Sequence, residues 1–196
     1  MPDIQNKKKK VIVIILLILL AALLFSFLID KQLALGIQKL RNPSIDNIII
    51  SLSFEWNDLS FLIFLVAVML ILFLRKDKIK NLGKIILSAL MTLGIAYILK
   101  FLIERTRPID SMHLSEPIVI IGSSFPSAHA AVVFSLLPFI WKEYPRARYL
   151  WILYGIFIIF SRLWFAAHYL SDSIGGVIIG LSIGILVLNI GQKNKK

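Results

Sequence analysis

The sequence predicts an all-α, polytopic membrane protein with six transmembrane helices and an interfacial helical segment between helices 1 and 2. Of its 196 residues, 58% are hydrophobic, whereas a soluble globular domain is about 45–50% apolar. The mean hydropathy is +0.85. The apolar residues also form runs close to the about 17–25 residues that a helix needs to cross about 30 Å of hydrocarbon. These runs lie at residues 11–29, 58–74, 85–103, 124–141, 149–166 and 172–190.

The first apolar run follows a basic stretch, Lys7 to Lys10, and in this respect resembles the start of a secretory signal peptide. It is longer than the apolar part of most signal peptides, however, and no clear small-x-small cleavage site follows it. We therefore expect an uncleaved anchoring helix.

Residues 30–57 mix apolar side chains with charges such as Lys39, Asp46 and Glu55. This composition is typical of helices that lie in the membrane interface. We expect one or two such helices, with Pro43 separating them, because its ring clashes with a continuing helix. The segment could simply seal the bundle, or it could shape a lateral entrance for lipid.

The formal net charge of +11 could suggest nucleic-acid binding, but the basic residues form short patches between apolar runs rather than a groove with interleaved aromatics. Fifteen of the 22 basic residues fall on alternate connections, which the positive-inside rule assigns to the cytoplasm. Both termini are therefore predicted to be cytoplasmic. The fifteen are residues 7–10, Arg75, Lys76, Lys78, Lys80, Lys84, Lys142, Arg146, Arg148, Lys193, Lys195 and Lys196.

We expect a single domain over residues 1–196, because no internal repeat or low-complexity linker divides the chain. The motifs that carry chemistry fall within residues 85–190. Cysteine is absent, which excludes thiol chemistry and a disulfide framework. Nothing in the sequence suggests a metal site or another cofactor.

The first motif is Lys100 with Arg107-Pro108, at the outer end of the third apolar run. Seven residues are about two helical turns, so a helix continuing through both would place the two cations on one face. One phosphate could then contact both. The alternative is that Lys100 snorkels to the interface while Arg107 lies in a solvated loop. Glu104 and Arg105 add charge here, but neither is assigned to the substrate.

The second motif, Pro126-Ser127-Ala128-His129, precedes an apolar helix. A helix N-terminus directs unpaired N–H groups at an anion, although Ser127 could be no more than an N-cap. His129 is unusual where an apolar helix begins, and imidazole titrates near neutral pH. We interpret His129 as a general acid that protonates a leaving oxygen.

The third motif is Ser161-Arg162 followed by His168 and Asp172. If the last helix begins near His168, Asp172 lies in the i,i+4 relation that lets two side chains meet. An aspartate bonded to one ring nitrogen orients the imidazole and leaves the other nitrogen able to attack phosphorus. Alternatively, Asp172 is a helix cap and His168 an interfacial residue. Arg162 argues against this, since an arginine at the end of an apolar run needs an anionic partner.

The three motifs together supply two histidines, one carboxylate and three cations, which is the inventory of a phosphate hydrolase that needs no metal. All of them flank the two connections on the side opposite the predicted cytoplasmic one. The sequence therefore predicts a phosphoryl-transfer site that faces outward.

These residues resemble the type 2 phosphatidic acid phosphatase superfamily, which includes phosphatidylglycerophosphate and undecaprenyl-diphosphate phosphatases. The family pattern is Lys, six residues, Arg-Pro; then Pro-Ser-Gly-His; then Ser-Arg, five residues, His, three residues, Asp. All three spacings are reproduced here, and the one departure is Ala128 in place of glycine. Alanine would restrict the backbone if this position needed a positive φ. Residues 41–46 also resemble the segment before helix 2 in bacterial members.

The resemblance implies a nucleophile, His168, that forms a phosphohistidine, oriented by Asp172, with His129 as the acid for the leaving group. It implies that the phosphate oxygens are held by five residues, Lys100, Arg107, Ser127, Ala128 and Arg162. The expected enzyme is a metal-independent phosphoric-ester or diphosphate hydrolase in the cell (cytoplasmic) membrane.

An isoprenyl diphosphate of the undecaprenyl type is the first expected substrate, with phosphatidylglycerophosphate or phosphatidate as alternatives. A lipid phosphotransferase and a non-catalytic lipid-binding or transport protein are the other functions left open. The expected partners are the lipid substrate and the bilayer, with no nucleic acid and no obligate protein partner.

Overall fold

The computed structural model describes residues 2–53, 58–74, 79–112 and 122–191, and within these ranges the chain forms helices and connecting turns. A single 3-10 turn, Ile79–Asn81, precedes α4. The α-helices are α1 (Pro2–Lys39), α2 (Pro43–Ser53), α3 (Asp58–Phe73), α4 (Leu82–Ile103), α5 (Pro108–Ser111), α6 (Ala128–Glu143), α7 (Ala147–Trp164) and α8 (Leu170–Asn189).

Helices cover all six apolar runs, so the predicted all-α membrane fold is confirmed. Among the described residues, four helical stretches are long and apolar enough to cross a membrane, and a shorter apolar helix spans Ser60–Phe73. α6 has 16 residues, slightly fewer than the about 17 expected of a spanning helix. Six spans therefore remain a prediction. The four stretches are Lys10–Lys39, Leu82–Ser111, Ala147–Trp164 and Leu170–Asn189.

The segment after the first run differs from expectation. α1 continues without a break to Lys39, so residues 30–39 extend the first helix instead of forming a separate interfacial one. The break before Pro43 is present, and α2 begins at that proline. Its residues Ile49 and Ile50 pack against Trp164 and Phe165 at the end of α7. An interfacial position for α2 stays a prediction, and residues 54–57 lie outside the described ranges.

α6 is the centre of the bundle, because every residue from His129 to Leu137 is buried. It packs against α4, α7 and α8. A helix that is apolar all round needs such surroundings on every side. The outer helices instead leave large apolar side chains exposed, as a protein surrounded by lipid does; examples are Leu28, Ile71, Phe101 and Leu150.

Three glycines on one face of α8 allow α6 to approach at backbone distance. A Cβ atom built at Gly176, Gly180 or Gly184 would lie 2.5, 2.1 and 2.3 Å from the carbonyl oxygens of Ser127, Ala131 and Ser135, respectively. Both sets of residues are spaced by four, so the contact is a regular small-residue seam of the kind that joins membrane helices. No side chain larger than hydrogen fits there without moving a helix.

Replacing Gly180 by alanine is expected to destabilise the protein by about 1–3 kcal/mol, the usual effect of overpacking a tight contact. Thermal unfolding of the detergent-purified protein measures this. Gly94→Ala in α4 is the matched control, since apart from the adjoining backbone of its own helix no described atom lies within 4 Å of its Cβ position. That variant should be neutral or slightly stabilised. Equal melting temperatures for the two variants would contradict the packing argument.

Candidate active site

His168 lies in the turn between α7 and α8. α7 ends at Trp164, and Ala166 takes a positive φ of 50°, so the chain reverses abruptly. The backbone N–H groups of Ala167 and His168 both donate to the carbonyl of Arg162, at 3.0 and 3.3 Å. The turn therefore holds the imidazole beside the last turn of α7, which carries Arg162.

Asp172 faces this imidazole from the first turn of α8. Its Oδ2 lies 3.7 Å from Nδ1 of His168, and the two side chains are 0% and 4% exposed, respectively. The separation is within ion-pair reach but longer than a hydrogen bond. The predicted i,i+4 pair is present, although α8 begins at Leu170 rather than near His168. Because Asp172 faces Nδ1, the other ring nitrogen, Nε2, lies on the side of the imidazole away from the carboxylate.

The carboxylate of Asp172 is held by groups from three parts of the chain. Its Oδ2 accepts a hydrogen bond from the backbone N–H of Tyr169 at 2.7 Å and one from the hydroxyl of Ser124. Its Oδ1 accepts one from Nη1 of Arg105 at 2.5 Å. A buried carboxylate with this many donors is stabilised in its ionised form.

Burial lowers the pKa of His168 from 6.5 to about 3, and the charges of Arg107 and Lys100 act in the same direction. The interaction with Asp172 raises the pKa but does not compensate for the burial. The imidazole is therefore neutral at pH 7. A neutral imidazole retains the lone pair that a nucleophile requires.

His129 lies in the first turn of α6, where Ser127 is the N-cap. The Ser127 hydroxyl accepts a hydrogen bond from the N–H of Ala130 at 3.5 Å, which confirms the capping interpretation. The backbone N–H of Ser127 donates to the carbonyl of Asp172 at 3.0 Å, so the starts of α6 and α8 are joined. The His129 ring packs on Phe61 of α3, with 4.3 Å between ring centres.

The three predicted cations converge on the two histidines. Lys100, Arg107 and Arg162 all lie within electrostatic range of His129, as does His168. Arg107 and Arg162 are buried, at 6% and 4% exposure. Charges buried to this extent are expensive unless they have anionic or polar partners. The arrangement is one that a phosphate group would complement.

Arg107 reaches the site by a different route from the one predicted. α4 ends at Ile103, and Glu104 caps it with a left-handed φ of 47°, so no helix continues from Lys100 to Arg107. Arg107 instead precedes α5 and donates from Nε to the carbonyl of Gly122 at 2.6 Å. Its Nη1 donates to the carbonyl of Ala167 at 2.8 Å, which ties it to the turn that carries His168.

Lys100 donates from Nζ to the carbonyl of Ser123, and so holds the loop before the second motif. Ala128 is the first residue of α6 and has ordinary helical geometry. Positive φ angles of non-glycine residues among the described ranges occur at Glu104 and Ala166. Alanine in place of the family glycine therefore imposes no backbone strain on this position.

Three residues around Asp172 were not predicted from the sequence as part of the site: Arg105, Ser124 and Asp30. The side chain of Arg105 bonds to Asp172. Asp30, in the C-terminal half of α1, accepts hydrogen bonds from Arg105 and Ser171, and Ser124 donates one to Asp172. An aspartate at the end of an apolar run was the available signal for Asp30, but its partners lie 75 and 141 residues away.

The arrangement combines a buried imidazole facing a carboxylate at 3.7 Å, a second imidazole, three cations and the N-terminus of a helix. Such a set can attack phosphorus, donate a proton and stabilise the charge that develops on phosphoryl oxygens. Among the described residues, no group of three or more His, Cys, Asp or Glu side chains is placed to hold a metal ion. Fold and site together define a membrane-embedded enzyme of the phosphoryl-transfer class.

The chain belongs to the PAP2 superfamily, whose profile matches residues 81–196. This membership confirms the resemblance drawn from the three motifs. It also confirms the prediction of an enzyme of the lipid phosphatase class.

Two solved structures share the fold. One is the first transmembrane PAP2 type phosphatidylglycerolphosphate phosphatase from Bacillus subtilis, with a TM-score of 0.71 and 20% identity over 93% of this chain and 95% of that chain. The other is LpxE of Aquifex aeolicus, with a TM-score of 0.67 and 23% identity over 82% and 95% of the respective chains.

The curated relatives include the inositol phosphorylceramide synthase of Candida albicans, which is 30% identical over 64 residues. The matched part is 33% of this chain and 14% of the synthase. The chain therefore corresponds to a small part of that protein.

Lowering the pH is expected to destabilise the protein through His168. Its pKa is about 6.5 in an unfolded chain and about 3 in the fold, so the unfolded state binds the proton first. The stability present above pH 6.5 is then lost by about 1.4 kcal/mol for each pH unit below it. Between pH 7 and pH 5, the melting temperature of the parent protein should fall further than that of His168→Asn. An identical fall in both would contradict the assignment.

Proposed function

We propose that the protein hydrolyses a lipid phosphate or diphosphate, without a metal, through a phosphohistidine on His168. The observation that carries the proposal is the buried His168–Asp172 pair, with Asp172 3.7 Å from Nδ1, beside Lys100, Arg107 and Arg162. Binding an anionic headgroup would need the cations alone. A neutral, oriented imidazole is needed for nucleophilic attack.

In the first half-reaction, the lone pair on Nε2 of His168 forms a bond to phosphorus as the bond from phosphorus to the leaving oxygen breaks. His129 gives its proton to that oxygen, so the lipid alcohol or phosphate leaves in protonated form. Positive charge develops on the imidazole, and the ionised Asp172 next to Nδ1 stabilises it. The cations and the N–H group of Ala128 at the start of α6 stabilise the negative phosphoryl oxygens, whereas the N–H of Ser127 is already bonded to the carbonyl of Asp172.

In the second half-reaction, His129 accepts a proton from water while the water oxygen attacks phosphorus. The bond between nitrogen and phosphorus breaks, and its electron pair returns to Nε2. Inorganic phosphate leaves, and both histidines regain their starting states. One residue thus acts as acid and then as base.

We propose that the site faces outward from the cytoplasmic membrane and that both termini are cytoplasmic. Two features support this: the basic residues on alternate connections and the position of the site where α4 and α7 end and α6 and α8 begin. An outward site suits a carrier lipid released on that face, so an isoprenyl diphosphate is the first proposed substrate. Phosphatidylglycerophosphate is the second, since the Bacillus subtilis structure of the same fold bears that name.

The alternative is transfer of the phosphoryl group from His168 to an acceptor hydroxyl. The similarity of 64 residues to a protein named as a synthase supports this alternative. The chemistry of the first half is unchanged, and a lipid hydroxyl replaces water in the second. Product that forms only when an acceptor is supplied would identify this reaction.

The proposed function is tested by phosphate release from isoprenyl diphosphate, phosphatidylglycerophosphate and phosphatidate, measured with chelator present. The parent protein should release phosphate and His168→Ala should not. Acid-quenched samples of the parent should carry a phosphohistidine that the variant lacks, because the attacking nitrogen has been removed. Near-parent turnover by a folded His168→Ala would eliminate His168 as nucleophile. No release or transfer with any lipid would favour the binding function.

Arg162→Lys is expected to lower kcat/KM by about tenfold or more, since a planar guanidinium can bond two phosphoryl oxygens and an ammonium cannot. Steady-state kinetics with the best lipid substrate measures the loss. Arg148→Lys, at the other end of α7, is the matched control and should retain parent kinetics. Unchanged kinetics in both variants would remove Arg162 from the phosphate site.

A further inference from the structure

Arg105 forms a partly buried bridge between two carboxylates. Its Nη1 lies 2.5 Å from Oδ1 of Asp172, and its Nη2 lies 2.8 Å from Oδ2 of Asp30. The aspartate side chains are 0% and 5% exposed, and that of Arg105 is 22% exposed. Hydrogen bonds between charged partners in such surroundings are stronger than those between neutral groups.

The two oxygens of Asp172 have separate partners. Oδ2 faces Nδ1 of His168 and accepts bonds from Tyr169 and Ser124. Oδ1 points the other way and is bonded to Arg105. Because a carboxylate is planar, fixing Oδ1 also fixes the direction of Oδ2. Arg105 is therefore placed to determine how the carboxylate meets the imidazole.

Arg105 is itself held from several sides. Its guanidinium carbon lies 4.3 Å from the ring centre of Tyr169 and 5.1 Å from that of Phe27, within the range of cation–π attraction. Its backbone carbonyl accepts a hydrogen bond from the N–H of Ser124 at 2.8 Å. The left-handed cap at Glu104, with φ of 47°, redirects the chain just before it. The side chain is thus fixed before any substrate binds.

Asp30 supplies the second anchor and links α1 to the start of α8. Its Oδ1 accepts a hydrogen bond from the backbone N–H of Ser171 at 3.0 Å, and its Oδ2 accepts one from the Ser171 hydroxyl. An arginine paired with Asp172 alone would concentrate its full charge on that carboxylate. With Asp30 present, the guanidinium is shared, and Asp172 retains negative charge to offer to His168.

We propose that Arg105, anchored by Asp30, is a positioning residue for phosphoryl transfer, holding the Asp172 carboxylate so that its Oδ2 supports His168. The proposal rests on the proposed function of His168 as nucleophile. It assigns Arg105 no contact with the substrate, in contrast to Lys100, Arg107 and Arg162. The structural alternative is that the pair only attaches α1 to the bundle.

Steady-state kinetics of Arg105→Gln distinguishes these roles. We expect kcat to fall by about ten- to a hundredfold, the range for losing a hydrogen bond to a charged group, while KM stays within about twofold of the parent. The rate of phosphohistidine formation should fall by the same factor. Arg105→Lys should recover part of kcat, because one cationic donor remains. Lys31→Gln, which removes an exposed cation next to Asp30, is the matched control and should keep parent kinetics.

Asp30→Asn provides a second and independent test, since it preserves the shape of the side chain. We expect a smaller fall in kcat than for Arg105→Gln. In the double variant, Asp30→Asn should add less than about twofold to the effect of Arg105→Gln, because residues acting through one another are not additive. Fully additive losses would overturn the proposal.

Other results would also overturn it. If folded Arg105→Gln had a lower melting temperature but an unchanged kcat, the bridge would only attach α1 to the bundle. A rise in KM at constant kcat would place Arg105 on the substrate. If the parent turns over lipid and His168→Ala does not, but Arg105→Gln retains parent kcat, the positioning proposal fails while the proposed function stands. If the parent itself is inactive, both fail.

Discussion

The close approach of α6 and α8 is the constraint on which the site depends. Gly176 faces the carbonyl of Ser127, one position before α6 begins, and the N–H of Ser127 bonds to the carbonyl of Asp172. The same contact therefore sets the distance between the helix start that carries His129 and the one that carries Asp172. A side chain at any of the three glycines would separate the helices and, with them, the two halves of the site.

Several charged side chains are buried near this contact between α6 and α8. Arg107 and Arg162 are buried with the two histidines, in a bundle whose outer surfaces are apolar. Such charge is tolerated because neighbouring groups supply partners: backbone carbonyls bond to Lys100 and Arg107, and two carboxylates share Arg105. Buried charges without partners would destabilise the fold by several kcal/mol each. Lys100, Arg105 and Arg107 are thus held in place by partners that the protein itself supplies.

Much of this was predictable because the decisive signals are local. Apolar runs located α3, α4, α6, α7 and α8 within a few residues, whereas α1 continues to Lys39, well past the predicted end at residue 29. Ser127 marked the start of α6 as an N-cap. The i,i+4 spacing of His168 and Asp172 predicted their contact, even though His168 lies in a turn before α8 rather than on it. Arg107 shows the limit of the method. The spacing suggested that Arg107 shares a helical face with Lys100. Instead, Glu104 ends the helix in a left-handed conformation, and the turn after it brings Arg107 close to the site.

The contacts of Arg105, Asp30 and Phe61 could not be found in this way, because the contacting residues are distant in sequence and follow no helical period. Arg105 pairs with residues 67 and 75 positions away, and Phe61 packs on His129 from a helix with no motif at all. Asp30 and Phe61 also lie outside the residues that match the superfamily, 81–196. The motifs mark the residues that we propose to contact the phosphate, because phosphoryl transfer determines which side chains are needed there. The groups that orient them come from whichever helices pack nearby, so α1 and α3 complete the site even though they carry none of its motifs.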